Sequence, residues 1–227
     1  MMLMPFVSPY FPVADTDPYF ANVSLLIQGN GVDASTSILD TSSTGHSVTV
    51  VGNAQVDTGI AQFPIGSIIF DGAGDRCTVA NHASLQFGTG DFTIDFWVYL
   101  SGSRNEYLHD QRPTGVNGAY PAIFINSSRV PQYVANSAAV IVGSALSLST
   151  WHYGGVKRFG TTTQLWINGS QVGSNYSDST NYGSGNLFFG DASFNPVFPF
   201  LGNAVIRITK GIARDLSVVP TAEFPDA

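Results

Sequence analysis

The carboxylates are the residues best able to catalyse a reaction, and their number and spacing argue against catalysis. Glycoside hydrolysis needs two carboxyl groups that face each other across about 5–9 Å. The chain has only two glutamates, Glu106 and Glu223, and neither lies in a run of alternating acids. Asp91 and Asp95 are four residues apart, with no third acid beside them. The sequence therefore predicts a protein that is not an enzyme and has no catalytic residues.

Histidine and cysteine could supply nucleophilic or metal chemistry. The histidines, His46, His82, His109 and His152, stand in neither a G-x-S-x-G nor an H-E-x-x-H context. We expect His152, which opens a predicted strand, to be packed and hydrogen-bonded. Cys77 is the only cysteine, so an intramolecular disulfide and a multi-cysteine zinc site are both excluded. A buried, inert thiol is the expected state of Cys77.

Three aspartates are candidates for calcium binding, because carboxylate and carbonyl oxygens are the ligands that Ca²⁺ prefers. Asp71 and Asp75 lie in the stretch "FDGAGD", and Asp191 lies in "FFGDAS". Asp-Gly and Gly-Asp pairs are also ordinary turn chemistry. We favour the turn, and predict no cofactor, with calcium as the possible exception.

Two polar loops with scattered tyrosines are the candidate sites for sugar binding. They span Ser103–Tyr120 and Gly173–Asn186. Sugar rings stack on aromatic faces, and sugar hydroxyls pair with amides and carboxylates. The alternative is that these loops are solvated or contact other subunits. The candidate tyrosines are Tyr107, Tyr120, Tyr176 and Tyr182.

Composition excludes several classes of partner. Charged residues make up only 11% of the 227 residues, and the net charge is −7, so no basic footprint for nucleic acid is present. No apolar run is long enough to span a membrane. The first residues are apolar but are interrupted by four prolines and lack a basic n-region, which argues against a signal peptide. Residues 1–22 are predicted to form an extended arm that docks on this domain or on a neighbouring subunit.

Short β-prone runs separated by Gly, Asn, Asp and Ser recur along the rest of the chain. Asn168-Gly169 predicts a tight hairpin, and Gly52-Asn53 predicts a second one. A single helical turn is expected near His82–Leu85. Many strands with almost no helix predict an all-β antiparallel two-sheet sandwich or jelly roll over residues 23–227. The predicted strands are Val23–Gln28, Ser47–Val51, Ala54–Val56, Ser67–Phe70, Cys77–Ala80, Phe92–Leu100, Ala122–Ile125, Gln132–Val134, Ala139–Val142, Trp151–Arg158, Thr163–Asn168, Leu187–Phe189 and Ala204–Lys210.

The run Phe92–Leu100 predicts a strand with two different faces. Alternate residues from Phe92 to Leu100 form an apolar core face, whereas Asp95 shares the other face with aromatic residues. We expect Asp95 to pair across strands with Arg207 or Arg158 and to set the register of the sheet. Trp97 or Trp166 is expected to cover this pair. All five of these residues are therefore assigned a structural role.

Four stretches of the sequence carry a resemblance to a known family, and they are Ser67–Asn81, Leu85–Leu100, Thr150–Val172 and Phe200–Pro225. They resemble the laminin-G-like branch of the concanavalin A-like lectin/glucanase superfamily, in the versions found in bacteriophage tail and virion proteins. The resemblance implies two curved antiparallel sheets packed face to face. Glucanases of this superfamily carry an alternating Glu-x-Asp-x-Glu strand, which this chain lacks.

The missing catalytic motifs, taken with the resemblance, favour a function without catalysis. The first hypothesis is a virion structural protein, a capsid decoration or a tail or fibre component, which displays a lectin-like sandwich on the particle surface. Its partners would be other virion subunits, contacted through residues 1–22, and it would form a homo-oligomer. The alternative is a lectin module that recognises host surface glycan, with or without calcium.

Overall fold

A computed structural model describes residues 16–113, 118–183, 185–192 and 198–227. Within these residues the regular structure is almost entirely β, which confirms the predicted all-β class. Short 3₁₀ turns span Phe20–Asn22 and Ala83–Leu85, the second at the predicted position. The strands are Val23–Ile27 (β1), Val48–Val51 (β2), Gln55–Asp57 (β3), Ser67–Asp71 (β4), Arg76–Val79 (β5), Phe92–Leu100 (β6), Glu106–Asp110 (β7), Ala122–Ile125 (β8), Pro131–Ala135 (β9), Ala138–Val142 (β10), Trp151–Phe159 (β11), Thr162–Ile167 (β12), Ser170–Ser177 (β13), Leu187–Phe189 (β14) and Leu201–Lys210 (β15).

Two antiparallel sheets pack face to face. The first has eight strands in the order β13-β12-β11-β6-β15-β4-β3, with β1 also pairing with β15. The second has seven strands in the order β10-β9-β8-β7-β14-β5-β2. Apolar residues from alternate positions of both sheets fill the space between them, including Phe92, Ile94 and Phe96 of β6. This arrangement follows from the period of two that a strand imposes on its side chains.

The outer face of the eight-stranded sheet is also covered. Strand β6 is buried along nearly its whole length, on both faces. A second apolar cluster on the outer side joins Trp97 of β6 to Leu216 and Phe224 of the C-terminal segment 211–227. Gly155 permits this close cover, because a Cβ there would lie 2.9 Å from the Leu216 side chain. The second face of β6 therefore supports another layer of the protein.

The two predicted hairpins have different outcomes. Asn168 and Gly169 have φ values of 48° and 77° and join the paired strands β12 and β13, as predicted. The predicted hairpin at Gly52-Asn53 is wrong, because β2 belongs to the seven-stranded sheet and β3 to the eight-stranded sheet. Gly52 has a φ of 77°, but it lies in a turn that passes between the sheets. Such a turn has the same local residue preferences as a hairpin turn.

Two strands lie inside stretches that the sequence predicts to be loops. Strand β7 lies within Ser103–Tyr120, and most of β13 lies within Gly173–Asn186. Strand β7 has no apolar alternation because Glu106, His109 and Asp110 are polar yet buried. Strand β13 is an edge strand whose residues are mostly exposed. Both segments form strands because they pair with neighbouring strands, although their own sequences do not predict a strand.

The predicted N-terminal arm is described only from residue 16 onward, and residues 1–15 lie outside the described residues. Asp17 is bound to the sandwich, since its carboxylate accepts hydrogen bonds from both terminal nitrogens of Arg214 at 3.0 and 2.6 Å. Burial alone would raise the pKa of Asp17, but Arg214, the Tyr19 backbone and Arg207 together lower it. The docking of residues 1–15 stays a prediction.

In the described part of the chain, no helix has the length and apolar character needed to cross a membrane.

Candidate functional site

The structure places Arg207 directly opposite Asp95 in the pairing of β15 with β6. Arg207 donates to both carboxylate oxygens of Asp95, from Nε at 3.1 Å and from Nη2 at 2.6 Å. The Tyr153 hydroxyl donates to Asp95 Oδ2 at 3.0 Å, and the guanidinium lies 4.1 Å from the centre of the Phe224 ring. The pair is fully enclosed, with Asp95 0% and Arg207 6% exposed. Asp95 therefore has a structural environment and is inaccessible to a ligand.

The other structural candidates, Arg158, Trp97 and Trp166, lie on the same eight-stranded sheet as Asp95. Arg158 is opposite Phe92 and is 0% exposed, so it does not share a site with Asp95. Its guanidinium donates to the carbonyl oxygens of Gly88, Gly90 and Thr180, and so fixes two loops. Trp97 and Trp166 both belong to the outer cluster. The predicted pairing partner is thus Arg207, and Arg158 is wrong for this role because it faces the interior.

The three candidate calcium ligands separate into two groups. Asp75 accepts from the backbone of Asn53 at 2.7 Å and of Asp71 at 3.0 Å, and Asp71 accepts from Ala73 at 2.7 Å. These are turn contacts. Asp191 lies instead 3.7 Å from the guanidinium of Arg76. Among the described residues, no group of three or more His, Cys, Asp or Glu side chains is arranged to hold a metal ion.

We therefore expect the purified protein to contain no stoichiometric calcium and to keep its melting temperature when a chelator is added. The hydrogen bonds of Asp71 and Asp75 already satisfy these carboxylates from the backbone. Elemental analysis by plasma mass spectrometry, with thermal unfolding in EDTA and in added Ca²⁺, measures both quantities. One calcium per chain, or a melting temperature that rises with Ca²⁺, would contradict the assignment of these residues to turns.

The four candidate tyrosines are not equivalent. Tyr182 is 1% exposed, and its hydroxyl donates to Asp178 at 2.9 Å. It cannot stack on a sugar, so its assignment to a sugar site is corrected: the residue lies in a polar stretch that packs into the core. Tyr176 is half-buried on β13, and Tyr120 is half-buried near Gly183. Tyr107 lies on β7 and points outward from the seven-stranded sheet, opposite Phe124.

Tyr107 is the first residue of an accessible row that crosses four strands. Tyr107 pairs with Phe124, Phe124 with Gln132, and Gln132 with Val142, so the four residues lie side by side on β7, β8, β9 and β10. All are half-buried or exposed, and Val142 is 48% exposed. At the usual spacing of strands, this cross-strand row is about 14 Å long. It combines two aromatic rings with a carboxamide and an aliphatic side chain.

The tyrosine end of the cross-strand row is held in place by its neighbours. Tyr107 packs on Phe124 with ring centres 4.8 Å apart and on Phe198 at 6.1 Å. The guanidinium carbon of Arg112 lies 4.7 Å from the centre of the Tyr107 ring. Arg112 in turn makes two hydrogen bonds to the buried Asp110 carboxylate, from Nε at 2.9 Å and Nη2 at 2.8 Å. Burial alone would lower the pKa of Arg112, but Asp110 outweighs it and raises it.

A second pair of charges, Arg76 and Asp191, lies near Asp110. Asp191 is 0% exposed, and burial is the main cause of its raised pKa, to which the charge of Asp110 adds. Within the described residues, Asp191 Oδ2 and Arg76 Nε have no hydrogen-bond partner. Both carboxylates are therefore enclosed beside arginines, and the outward surface of the site is formed by the cross-strand row.

Two of the histidines, His109 and His152, and the cysteine are buried. His152 is hydrogen-bonded through both ring nitrogens, to Ser147 at 3.0 Å and to Asn168 at 3.1 Å, as predicted. Cys77 is buried, and burial raises the pKa of its thiol to about 12, so it is an inert thiol. His109 is completely buried, and burial lowers its pKa to about 4.

Comparison with known proteins identifies a family. The laminin G-type model described as "Concanavalin A-like lectin/glucanases superfamily" matches residues 71–203. A comparison with curated proteins gave no match.

Several solved structures share the fold. The botulinum neurotoxin serotype D binding domain has a TM-score of 0.65 at 14% identity, covering 88% of this chain and 50% of that one. The botulinum neurotoxin DC binding domain, solved "in complex with SialylT", has a TM-score of 0.62 at 16% identity, covering 88% and 51%. The binding domain of Paraclostridial Mosquitocidal Protein 1 has a TM-score of 0.60 at 16% identity, again covering 88% and 51%. The chain thus spans about half the length of these structures, and at such identities the likeness concerns the fold.

Proposed function

Because the chain belongs to the concanavalin A-like lectin/glucanases superfamily, we propose that it is a non-enzymatic carbohydrate-binding module whose glycan lies along the cross-strand row. The observation that carries this proposal is the row itself, with two accessible aromatic rings and one carboxamide on adjacent strands. Aromatic faces accept the apolar faces of sugar rings, and the Gln132 amide offers a donor and an acceptor to hydroxyls. A row of about 14 Å suits a short oligosaccharide.

The charged residues beside the row support binding without hydrolysis. A glycosidase needs one carboxylic acid and one carboxylate that both reach the glycosidic bond. Both oxygens of Asp110 are bound by Arg112, and Asp191 is completely buried. Glu106 is 1% exposed, and Glu223 lies in the C-terminal segment that covers the opposite sheet. Of these carboxylates, Asp110 is the one that holds Arg112 against Tyr107.

The structural neighbours support the same ligand class. One of them, the botulinum neurotoxin DC binding domain, was solved with a sialyl compound. Cell entry of botulinum neurotoxin type C, another protein of this fold, is "dependent upon interaction with two ganglioside molecules". Those ligands belong to those proteins. For this chain, the shared fold makes a glycan the first class of ligand to test.

Substituting Tyr107 with alanine should weaken glycan binding about tenfold, which corresponds to about 1.4 kcal/mol. The loss arises because the stacking platform at one end of the row disappears. A glycan array first identifies a binding sugar, and isothermal titration then compares the wild type with Tyr107→Ala and Phe124→Ala. Tyr176→Ala is the matched control, because Tyr176 is half-buried on the eight-stranded sheet. Equal losses in all three variants, or a loss only in the control, would contradict a site at the row.

A more specific proposal concerns the particle that carries this module, and it is supported by the sequence resemblance to phage tail and virion proteins. We propose that the module is displayed on a virion surface and attached through its N-terminal residues. A variant lacking residues 1–15 should fold normally, because Asp17 and its contacts with Arg214 remain. It should no longer co-purify with particles. Mass spectrometry of purified particles gives the copy number, and retention of the shortened chain would refute attachment through this segment.

A further inference from the structure

A pocket of about 330 Å³ lies beside the first strand, on elements that do not contribute to the cross-strand row. Its walls come from the 3₁₀ turn Phe20–Asn22, β1, the end of β15, residues 43–44 and the 3₁₀ turn Ala83–Leu85. A cavity of this size is at the lower end of the range for small-ligand sites. The polar residues that line it are Asn22, Ser24, Ser43, Thr44, Ser84 and Lys210.

Lys210 is the charged group of this pocket. Its ammonium donates one hydrogen bond, to the carbonyl oxygen of Ala83 at 2.7 Å, and has two further protons to donate. In the described part of the chain, Lys210 takes part in no ion pair. The carboxylate of Asp40, which contacts residues next to the pocket, already accepts hydrogen bonds from the backbone amides of Leu26 and His46. A cation that takes part in no ion pair attracts an anionic ligand at short range, although the net charge of −7 opposes the approach of any anion from a distance.

The hydroxyl and amide side chains around Lys210 offer hydrogen-bond acceptors, whereas Lys210 offers donors. Ser43 Oγ donates to the Val23 carbonyl at 2.8 Å, and Ser24 Oγ to the Ile208 carbonyl at 3.4 Å. Asn22 Nδ2 donates to the Lys210 carbonyl at 3.1 Å. Because these donors are engaged within the protein, their oxygen lone pairs remain to accept hydrogen bonds from a ligand.

The Ser84 hydroxyl completes the wall between two imidazoles. Its Oγ lies 3.0 Å from His46 Nε2 and 2.9 Å from His82 Nδ1. One hydroxyl has a single proton, so it can donate to only one of these nitrogens. The oxygen is thereby held at a fixed position on the pocket wall.

We propose that this Lys210 pocket binds a sugar acid, such as a sialic or uronic acid. The carboxylate pairs with the Lys210 ammonium, and the ring hydroxyls donate to the oxygens of Asn22, Ser24 and Ser43. A pocket with one cation and several acceptors fits a ligand that combines one negative charge with several O–H donors. Sulfate has no O–H donor, and inorganic phosphate near neutral pH has one or two on a single small tetrahedron, so neither can match a ring that carries several hydroxyls. The pocket and the cross-strand row share no residue, so either site can fail experimentally without the other.

The sequence offers a sharp test, because Lys157 and Lys210 are its only lysines. Protein labelled with ¹⁵N-lysine gives two backbone amide signals, which the variant Lys157→Gln assigns. N-acetylneuraminic acid or glucuronic acid should shift the Lys210 signal saturably and leave the Lys157 signal in place. Galactose, acetate and inorganic phosphate serve as controls, and none of them should saturate the shift in the same concentration range.

The matched variants Lys210→Gln and Lys157→Gln complete the experiment. Saturation-transfer NMR of the sugar acid should show at least a tenfold weaker affinity for Lys210→Gln and an unchanged affinity for Lys157→Gln. A glutamine at 210 can still donate to the Ala83 carbonyl, so the fold is retained. The proposal is overturned if neither lysine signal shifts, if both shift alike, if galactose or phosphate binds as well, or if Lys210→Gln binds normally.

Discussion

Replacing Arg207 with methionine is expected to lower the free energy of unfolding by about 3–5 kcal/mol. Arg207 neutralises Asp95 in the middle of β6, where the carboxylate is 0% exposed and two nitrogens of Arg207 lie within 3.1 Å of it. Without the guanidinium, Asp95 must either remain charged in an apolar layer or take up a proton. Chemical denaturation at neutral pH, with a constant m-value, measures the loss.

A double variant distinguishes an uncompensated charge from lost packing. Asp95→Asn combined with Arg207→Met removes both charges and leaves the Tyr153 hydroxyl a partner at position 95. We expect this double variant to be more stable than Arg207→Met alone, because replacing a whole buried ion pair costs much less than removing one partner. If Arg207→Met lowers the free energy of unfolding by less than about 1 kcal/mol, the role of this pair is contradicted, since exposed ion pairs contribute about that much.

Replacing Glu106 with glutamine is expected to stabilise the protein at alkaline pH by about 3–5 kcal/mol. Glu106 is 1% exposed, and burial raises its pKa from 4.5 to about 8, against the opposing hydrogen bond from the Leu201 backbone. The folded protein therefore retains a proton that the unfolded chain releases above pH 4.5. The stability that this group supplies is complete below pH 4.5 and is lost as the pH rises to about 8.

His109 makes the free energy of unfolding depend on pH in the opposite direction, and it does so in a lower range of pH. Burial lowers its pKa from 6.5 to about 4, so the unfolded chain takes up a proton before the folded protein does. The stability from the neutral His109 is complete above pH 6.5 and is lost as the pH falls to about 4. Between about pH 4.5 and 6.5 the slopes of Glu106 and His109 oppose each other, so the contributions of these two groups nearly cancel.

Urea denaturation from pH 4 to pH 9 tests both groups. The wild type should lose stability above pH 6.5, whereas Glu106→Gln should remain constant there and match the wild type near pH 4.5. His109→Leu serves as the control, because without the opposing slope of His109 its stability should fall steadily as the pH rises from about 4.5 to about 8. Parallel curves for the wild type and Glu106→Gln would show that Glu106 is ionised in the folded protein.

The sequence predicts the sandwich well wherever apolar residues alternate. The two faces of Phe92–Leu100 are an example, because Ile94 and Phe96 face the core while Asp95 and Trp97 face outward. The cover over the outward face cannot be read from this pattern. It comes from residues 211–227, which lie over a hundred positions away and contain no regular strand.

The cross-strand row was only partly predictable. Tyr107 stands out as a tyrosine in a polar stretch, but Phe124 and Gln132 carry no signal on their own, because their role depends on the order β7-β8-β9 in the sheet. Arg112 and Asp110 are close in sequence, and their pairing could have been anticipated from charge alone. For Tyr182 the prediction from sequence fails, because it places a buried residue in a binding loop. A polar, glycine-rich stretch can place an aromatic ring in the core when a buried carboxylate, here that of Asp178, accepts the hydrogen bond of the tyrosine hydroxyl.

Chemical-shift mapping with the glycan that binds most strongly on an array tests the central claim most directly. In uniformly ¹⁵N-labelled protein, saturable shifts are predicted for the amides of Tyr107, Phe124, Gln132 and Val142, with those of Asp110 and Arg112 following. The amides of the C-terminal segment, which covers the opposite sheet, should stay in place. Shifts confined to residues 211–227 or to the exposed edge strand β13, with none along the row, would contradict a glycan site on the seven-stranded sheet.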